Sequence, residues 1–195
     1  MLINLYIYIL IIFLCFVVSI YNRMARQRFF WLYFSMVLNL EILLLFKIIP
    51  YKIYQLSFFI YIPFFIYVYS LESKKKFLFI FLLLISFIIG TYLFIAQSNI
   101  QIQLGILMSF IYITIAIFWF FDQLKTTHKI PIIKKQLFWI STAILLIGII
   151  SIFRLIPMYY FNNTDKNFLL LTNYIYQYSI IISYFIFFKG LTCKQ

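Results

Sequence analysis

Residues 77–96 read FLFIFLLLISFIIGTYLFIA, an uncharged run that directly follows Lys74, Lys75 and Lys76. A hydrocarbon core about 30 Å thick takes about 20 helical residues to cross. Six more apolar runs of similar length flank this one, and the longest polar link between two runs covers only residues 122–136. The sequence therefore predicts an all-α integral membrane protein with seven transmembrane helices.

We expect one polytopic membrane domain over residues 1–195. Its predicted spans cover residues 2–21, 29–49, 53–71, 77–96, 104–121, 137–156 and 168–188. Unpaired backbone amides cost several kcal/mol in hydrocarbon, so a span is either a helix or a strand of a closed barrel. The apolar runs are continuous and lack the period-two alternation of barrel strands, which favours helices.

Composition excludes a soluble globule. The chain is 66% hydrophobic, 24% aromatic and 10% charged, which leaves too little polar surface to face water. Its net charge of +12 would suggest nucleic acid in a soluble protein, but the basic residues lie in the short links, where they face lipid headgroups. We therefore expect membrane lipids as partners and no nucleic acid.

The distribution of basic residues predicts the orientation. The first, third and fifth links and the C-terminal tail contain Arg23, Arg26, Arg28, Lys74, Lys75, Lys76, Lys125, Lys129, Lys134, Lys135, Lys189 and Lys194. The opposite side has only Lys47, Lys52, Arg154 and Lys166. Basic residues concentrate on the cytoplasmic side of membrane proteins. The N-terminus is therefore predicted outside and the C-terminus in the cytoplasm, and Trp31, Trp119 and Trp139 fall near the predicted inner ends.

Glu41 lies near the middle of the second predicted span. A carboxyl group at that depth costs roughly 2.5 to 3.5 kcal/mol on insertion scales, so it should face the interior of the bundle. It is either a ligand, ion or proton-relay group, or a neutral acid that hydrogen-bonds between helices. Arg154, in the outer part of the sixth span, is its most plausible ion-pair partner, although the arginine side chain can also extend to the outer headgroups.

Three polar residues of the seventh span, Asn173, Tyr176 and Gln177, share one helical face because they are spaced by three and four positions. They either line a ligand pocket with Glu41 and Arg154 or join helices at about 0.6 kcal/mol per contact. Pro63, in the middle of the third span, predicts a kink that could act as a hinge.

We find no catalytic motif, no metal site and no cofactor motif, and therefore expect a protein that is not an enzyme. His128 is the only histidine and is expected in a solvated link. The triplet Asn162, Asn163 and Thr164 forms a glycosylation sequon on the predicted outer side.

The order of spans resembles the seven-transmembrane sensor regions that precede histidine-kinase or AraC-type output domains in Bacteroidetes-like bacteria. The resemblance rests on Pro63 followed by the segment YVYSL at 67–71 and the lysines at 74–76, and on the basic link at 22–28. Tyr69 stands where that family often has a basic residue. The tail ends at Gln195, and no output domain is present in this sequence. The resemblance implies a sensor that signals through a partner, or a fragment of a longer protein.

These observations favour a membrane sensor or receptor-like module that binds a small or lipidic ligand in the outer half of the bundle. It would signal through a protein partner on the cytoplasmic side, with the bacterial inner membrane as the favoured location. One alternative is a hydrophobic accessory subunit of an energy-transducing complex in the mitochondrial inner membrane. Another is a small transporter, although no inverted repeat is visible.

Overall fold

A computed structural model describes residues 2–22, 29–50, 55–73, 75–95, 100–125, 131–161 and 165–193. Within these ranges all regular secondary structure is helical and no strand is present, which confirms the all-α prediction. Several residues named above lie outside the described ranges: Arg23, Arg26, Arg28, Lys52, Lys74, His128, Lys129, Asn162, Asn163, Thr164, Lys194 and Gln195.

The described residues form seven α-helices. They are α1 (Leu2–Tyr21), α2 (Phe30–Leu45), α3 (Phe58–Ser70), α4 (Lys76–Ile95), α5 (Ile100–Lys125), α6 (Gln136–Phe161) and α7 (Lys166–Thr192). Short 3₁₀ turns, Gln55–Ser57 and Ile132–Lys134, precede α3 and α6. Each helix corresponds to one predicted span.

Five helices, α1, α4, α5, α6 and α7, are long and apolar enough to cross a membrane, which indicates a membrane-embedded protein. The other two, α2 and α3, are apolar but shorter. At 1.5 Å per residue, the 16 residues of α2 extend over about 24 Å, less than a typical hydrocarbon core. The crossing of the membrane by α2 and α3 therefore stays a prediction.

Helix α2 ends four residues before the predicted boundary at residue 49. Lys47 adopts a left-handed conformation with a φ of 55°. The amide of Ile48 donates to the carbonyl of Leu43 at 2.9 Å, and the amide of Lys47 donates to the carbonyl of Leu44 at 3.0 Å. This pair of bonds is a Schellman motif, which satisfies the last carbonyls of a helix. Glu41 consequently lies one turn from the end of α2 rather than near its middle.

Helix α6 extends beyond its predicted end at residue 156 and includes Pro157. A proline removes one backbone hydrogen bond, but ending a helix inside an apolar environment would leave several backbone groups unpaired. Continuing the helix to Phe161 therefore costs less free energy than ending it before Pro157. Pro63 likewise lies inside α3, and its predicted role as a hinge stays a prediction.

The helices surround a common core. The most extensive contacts join α6 to α7 and α5 to α6, while α1 contacts α2 and α7. Helix α3 packs against α4 and α5, and α4 buries only Phe79, Ser86 and Gly90. Helix α4 therefore lies at the periphery, with most of its apolar surface facing outward.

Close approach of α5 and α6 depends on Gly148. A Cβ atom at this position would lie 2.9 Å from the backbone oxygen of Ser109, so no larger residue fits without separating the two helices. Gly148 therefore provides a small surface where the two helices pack closely.

Candidate functional site

A cavity of about 160 Å³ lies at the end of the bundle where α3 and α5 begin and α6 ends. We call this end of the bundle the cavity end. The residues that line the cavity are Gln55, Ser57, Phe58, Leu104, Gly105, Met108, Ser151, Arg154, Leu155 and Tyr176. Four helices or their preceding turns therefore contribute to one site, and it combines apolar walls with a few polar groups, as ligand sites do.

Arg154 and Tyr176 form the polar centre of this cavity. The guanidinium carbon of Arg154 lies 4.3 Å from the centroid of the Tyr176 ring, within the distance of a cation–π contact. This contact holds the half-buried arginine against α7, in the interior of the bundle. Two of the residues predicted for the ligand site thus meet directly.

Glu41 has a different neighbour in the structure. The hydroxyl group of Tyr8, on α1, donates a hydrogen bond to Glu41 Oε1 over 3.0 Å. Glu41 therefore pairs with α1, and neither Glu41 nor Tyr8 is part of the cavity lining.

Gln177 and Asn173 both lie half-buried on α7, close to Tyr176 in sequence. The Gln177 side-chain oxygen is buried and has no hydrogen-bond partner among the described residues. Asn173 does not belong to the part of the cavity wall that the structure describes. Their predicted role in ligand binding stays a prediction.

Sequence reasoning missed several polar residues of this region. Besides Tyr176, Tyr8 lies half-buried and bonded to Glu41, and four further tyrosines are buried in the interior: Tyr33, Tyr61, Tyr112 and Tyr184. Tyr61 is the sharpest case, because its side chain is only 7% exposed and its hydroxyl has no described partner. Gln55 and Ser57 were missed because they occur at a span boundary. Polar residues are common there and do not indicate a site.

The opposite end of the bundle, where α3 and α5 end and α6 begins, holds a second polar cluster. We call it the network end. Trp119 Nε1 donates to Glu72 Oε2 at 3.2 Å, and Ser73 Oγ donates to Asp122 Oδ2 at 3.2 Å. The buried hydroxyls of Tyr69 and Ser141 lie 2.7 Å apart. These polar side chains have partners within the protein.

Lys135 joins the network end from the turn before α6, and its ammonium group donates to Gln123 Oε1. Partial burial lowers the pKa of Lys135 below its usual value, while the nearby Glu72 carboxylate opposes that shift. Lys135 is therefore held to α5 by a hydrogen bond, and its charge interacts favourably with Glu72, which follows α3.

No protein-family model, curated protein or solved structure matches this chain with significance. The resemblance to seven-transmembrane sensor regions therefore stays a prediction from the sequence.

Proposed function

We propose that this protein is a seven-helix membrane sensor or receptor-like module that binds a small or lipidic ligand at its cavity end. In this proposal all seven helices cross the bacterial inner membrane, with the N-terminus outside and the C-terminus in the cytoplasm. The cavity then opens in the outer half, and the network end faces the cytoplasm. A protein partner would contact the basic links and the tail there.

The observation that carries the proposal is the cavity itself. It places the Arg154 guanidinium and the Tyr176 ring between apolar walls. Polar groups in apolar helices are costly and mark functional sites in membrane proteins. A ligand that contacts Arg154 and Tyr176 would change the packing of α6 against α7, and α7 extends to the network end at Thr192.

Binding would signal only if the ligand prefers one helix arrangement over another. Cys193 is a natural reporter of that change, because it follows the last residue of α7 and is partly exposed, whereas Cys15 is fully buried. A fluorescent maleimide should therefore label Cys193 and leave Cys15 unmodified.

The test uses two tryptophan variants of α5. Met108→Trp fills the cavity, since Met108 lines it, whereas Phe110→Trp places the same ring at an outward-facing position that is 55% exposed. We expect mass spectrometry to find a small molecule or lipid with the purified wild type and with Phe110→Trp, but not with Met108→Trp. Extracting that ligand from the wild type should change the fluorescence of labelled Cys193. Equal recovery from both variants would refute binding in the cavity.

The same cysteine tests the orientation. A membrane-impermeant maleimide should modify Cys193 in inverted vesicles and leave it unmodified in intact spheroplasts. Modification in intact spheroplasts would refute the proposed topology.

A second candidate is a hydrophobic subunit of an energy-transducing complex. The observation that favours it is the aromatic outer surface of α4, where Phe77, Phe81 and Tyr92 are 82%, 56% and 69% exposed. These rings would pack against other subunits. Stoichiometric recovery with a respiratory assembly in mild detergent would support this candidate and overturn the sensor proposal.

A further inference from the structure

We propose that the cavity holds the oxyanion group of its ligand, a carboxylate or a phosphate, with Arg154 as the counterion. This inference rests on the proposed function, because it takes the cavity as the ligand site and adds the chemical class of the group that enters it.

The first argument is charge. An arginine side chain remains protonated in proteins, so Arg154 brings one positive charge to the cavity wall. The chain has only four acidic residues, Glu41, Glu72, Asp122 and Asp165. None of them lines the cavity. The residues outside the described ranges contain no Asp or Glu, so they add no acidic side chain.

Each of the four acidic residues is engaged elsewhere. Glu41 accepts a hydrogen bond from Tyr8, and Glu72 and Asp122 belong to the network end. The carboxylate of Asp165 caps α7 by accepting from the amide of Phe168 at 2.9 Å. The guanidinium of Arg154 therefore faces the cavity without an acidic residue in its wall, and an anion is the complementary ligand.

The second argument is the remaining hydrogen-bonding capacity of the wall. Arg154 Nε is buried and has no hydrogen-bond partner among the described residues. Buried polar atoms in native proteins are nearly always paired, and an unpaired one calls for a ligand, an ion or a water molecule. Ser57 and Ser151 are 7% and 6% exposed and line the same cavity, as does Gln55. Their hydroxyl and amide groups can donate to further oxygens of the same anion.

The third argument is size. An apolar cavity of about 150 Å³ holds benzene, which has six heavy atoms. A cavity of about 160 Å³ therefore accommodates a phosphate group, or a carboxylate with a few carbon atoms. Phe58, Leu104 and Met108 provide apolar contacts for those carbons. A larger ligand would place only its charged end in the cavity and extend the rest through the opening.

The experiment measures binding to the full-length protein in nanodiscs of phosphatidylcholine. The probes are butyrate and methyl phosphate, and 1-butanol and butylamine serve as neutral and cationic analogues of similar size. We expect calorimetric titration to detect the two anions and neither analogue. Because hydrogen bonds to a charged group contribute about 1.5 to 3 kcal/mol, Arg154→Gln should weaken binding of the anions by about 10- to 100-fold.

Two variants make this loss interpretable. Lys166→Gln removes the same charge from the same end of the bundle at an exposed position outside the cavity, and should bind as the wild type does. Arg154→Lys retains the charge but lacks the planar fork of donors, so its affinity should fall between those of the wild type and Arg154→Gln. Arg154→Lys could also lose all anion binding while its circular-dichroism spectrum stays that of the folded protein. Binding would then require the guanidinium group itself, which supports the proposal.

A lipid and a soluble anion are distinguished by competition. Phosphatidate added to the nanodiscs should abolish butyrate binding if the natural anion is a lipid headgroup, and leave it unchanged if the anion is soluble. Binding of 1-butanol as tight as that of butyrate, or unchanged anion affinity in Arg154→Gln, would overturn the inference. If the co-purifying ligand is uncharged and is lost only in Met108→Trp, the oxyanion assignment fails while the proposed function stands.

Discussion

The two ends of the bundle differ in how far their buried polar groups are paired by hydrogen bonds. At the network end, tryptophan, serine and tyrosine side chains donate to carboxylates or to one another, and the hydroxyls of Tyr69 and Ser141 pair inside the core. Toward the cavity end, Arg154 Nε, Gln177 Oε1 and Tyr61 Oη are buried without a described partner. The network end adds one such atom, Gln136 Nε2. The contrast indicates that one end stabilises the bundle and the other retains unused hydrogen-bonding capacity.

Apolar packing shows the same contrast. Phe187 is 1% exposed and lies within 5.1 to 6.3 Å, centroid to centroid, of four rings: Phe30, Tyr33, Phe34 and Phe65. Phe58 is nearly as buried, at 4%, but it borders the cavity. Two phenylalanines of similar exposure therefore have different surroundings.

The largest expected effect compares these two phenylalanines. Phe187→Ala leaves a new cavity among four closely packed rings, and should lower the free energy of unfolding by about 4 kcal/mol. Phe58→Ala enlarges a space that already exists and should cost about 3 kcal/mol or less. The measurement is unfolding by SDS in mild detergent, followed by tryptophan fluorescence. An equal or larger loss for Phe58→Ala would show that the cavity end is as closely packed as the network end.

The sequence was sufficient to predict the seven helices, because each apolar run is long and its polar boundaries are sharp. It did not predict the end of α2, since the Schellman motif depends on the positive φ of Lys47, which no pattern around that lysine indicates. The sixth span was predicted to end at residue 156, whereas α6 continues through Pro157 to Phe161, because a helix that ends in an apolar environment leaves several backbone groups unpaired.

The sequence pointed to residues of the candidate site only where a polar side chain is unusual among its neighbours. Arg154 stands out within an apolar run and does line the cavity, whereas Glu41 and Gln177 stand out in the same way but are not among its lining residues. The chain has 17 tyrosines, so Tyr8 and Tyr61 could not be distinguished from tyrosines that pack at the surface. The pairing of Tyr8 with Glu41 joins residues 33 positions apart, and one sequence contains no information on which helices are neighbours.

An effect of intermediate size on stability is expected from a pair of Tyr→Phe substitutions in α3. Tyr69→Phe removes the hydroxyl that pairs with Ser141, and should lower the free energy of unfolding by about 0.6 to 1.7 kcal/mol. Tyr61→Phe removes a buried hydroxyl without a described partner, and should leave stability unchanged or raise it by up to about 1 kcal/mol.

The same SDS titration measures both variants, and each is the control for the other because the chemical change and the helix are the same. A loss for Tyr61→Phe as large as that for Tyr69→Phe would mean that the Tyr61 hydroxyl is satisfied in the folded protein. The contrast between the two ends would then rest on the cavity alone.

The smallest expected effect concerns charge at the network end. Lys75 Nζ lies 3.9 Å from Asp122 Oδ1, and the lysine side chain is 61% exposed. Exposed ion pairs contribute between zero and about 1 kcal/mol, and this one is long, so Lys75→Gln should cost no more than about 0.5 kcal/mol. Because salt screens exposed charges, the difference from the wild type should vanish in about 1 M salt.

Ser73→Ala is the matched control, since it removes the neutral donor to the same carboxylate and its effect should persist in salt. A loss above about 1 kcal/mol for Lys75→Gln that persists in salt would identify a desolvated ion pair. The expected small loss would instead mean that ring packing and hydrogen bonds, and not this ion pair, stabilise the network end.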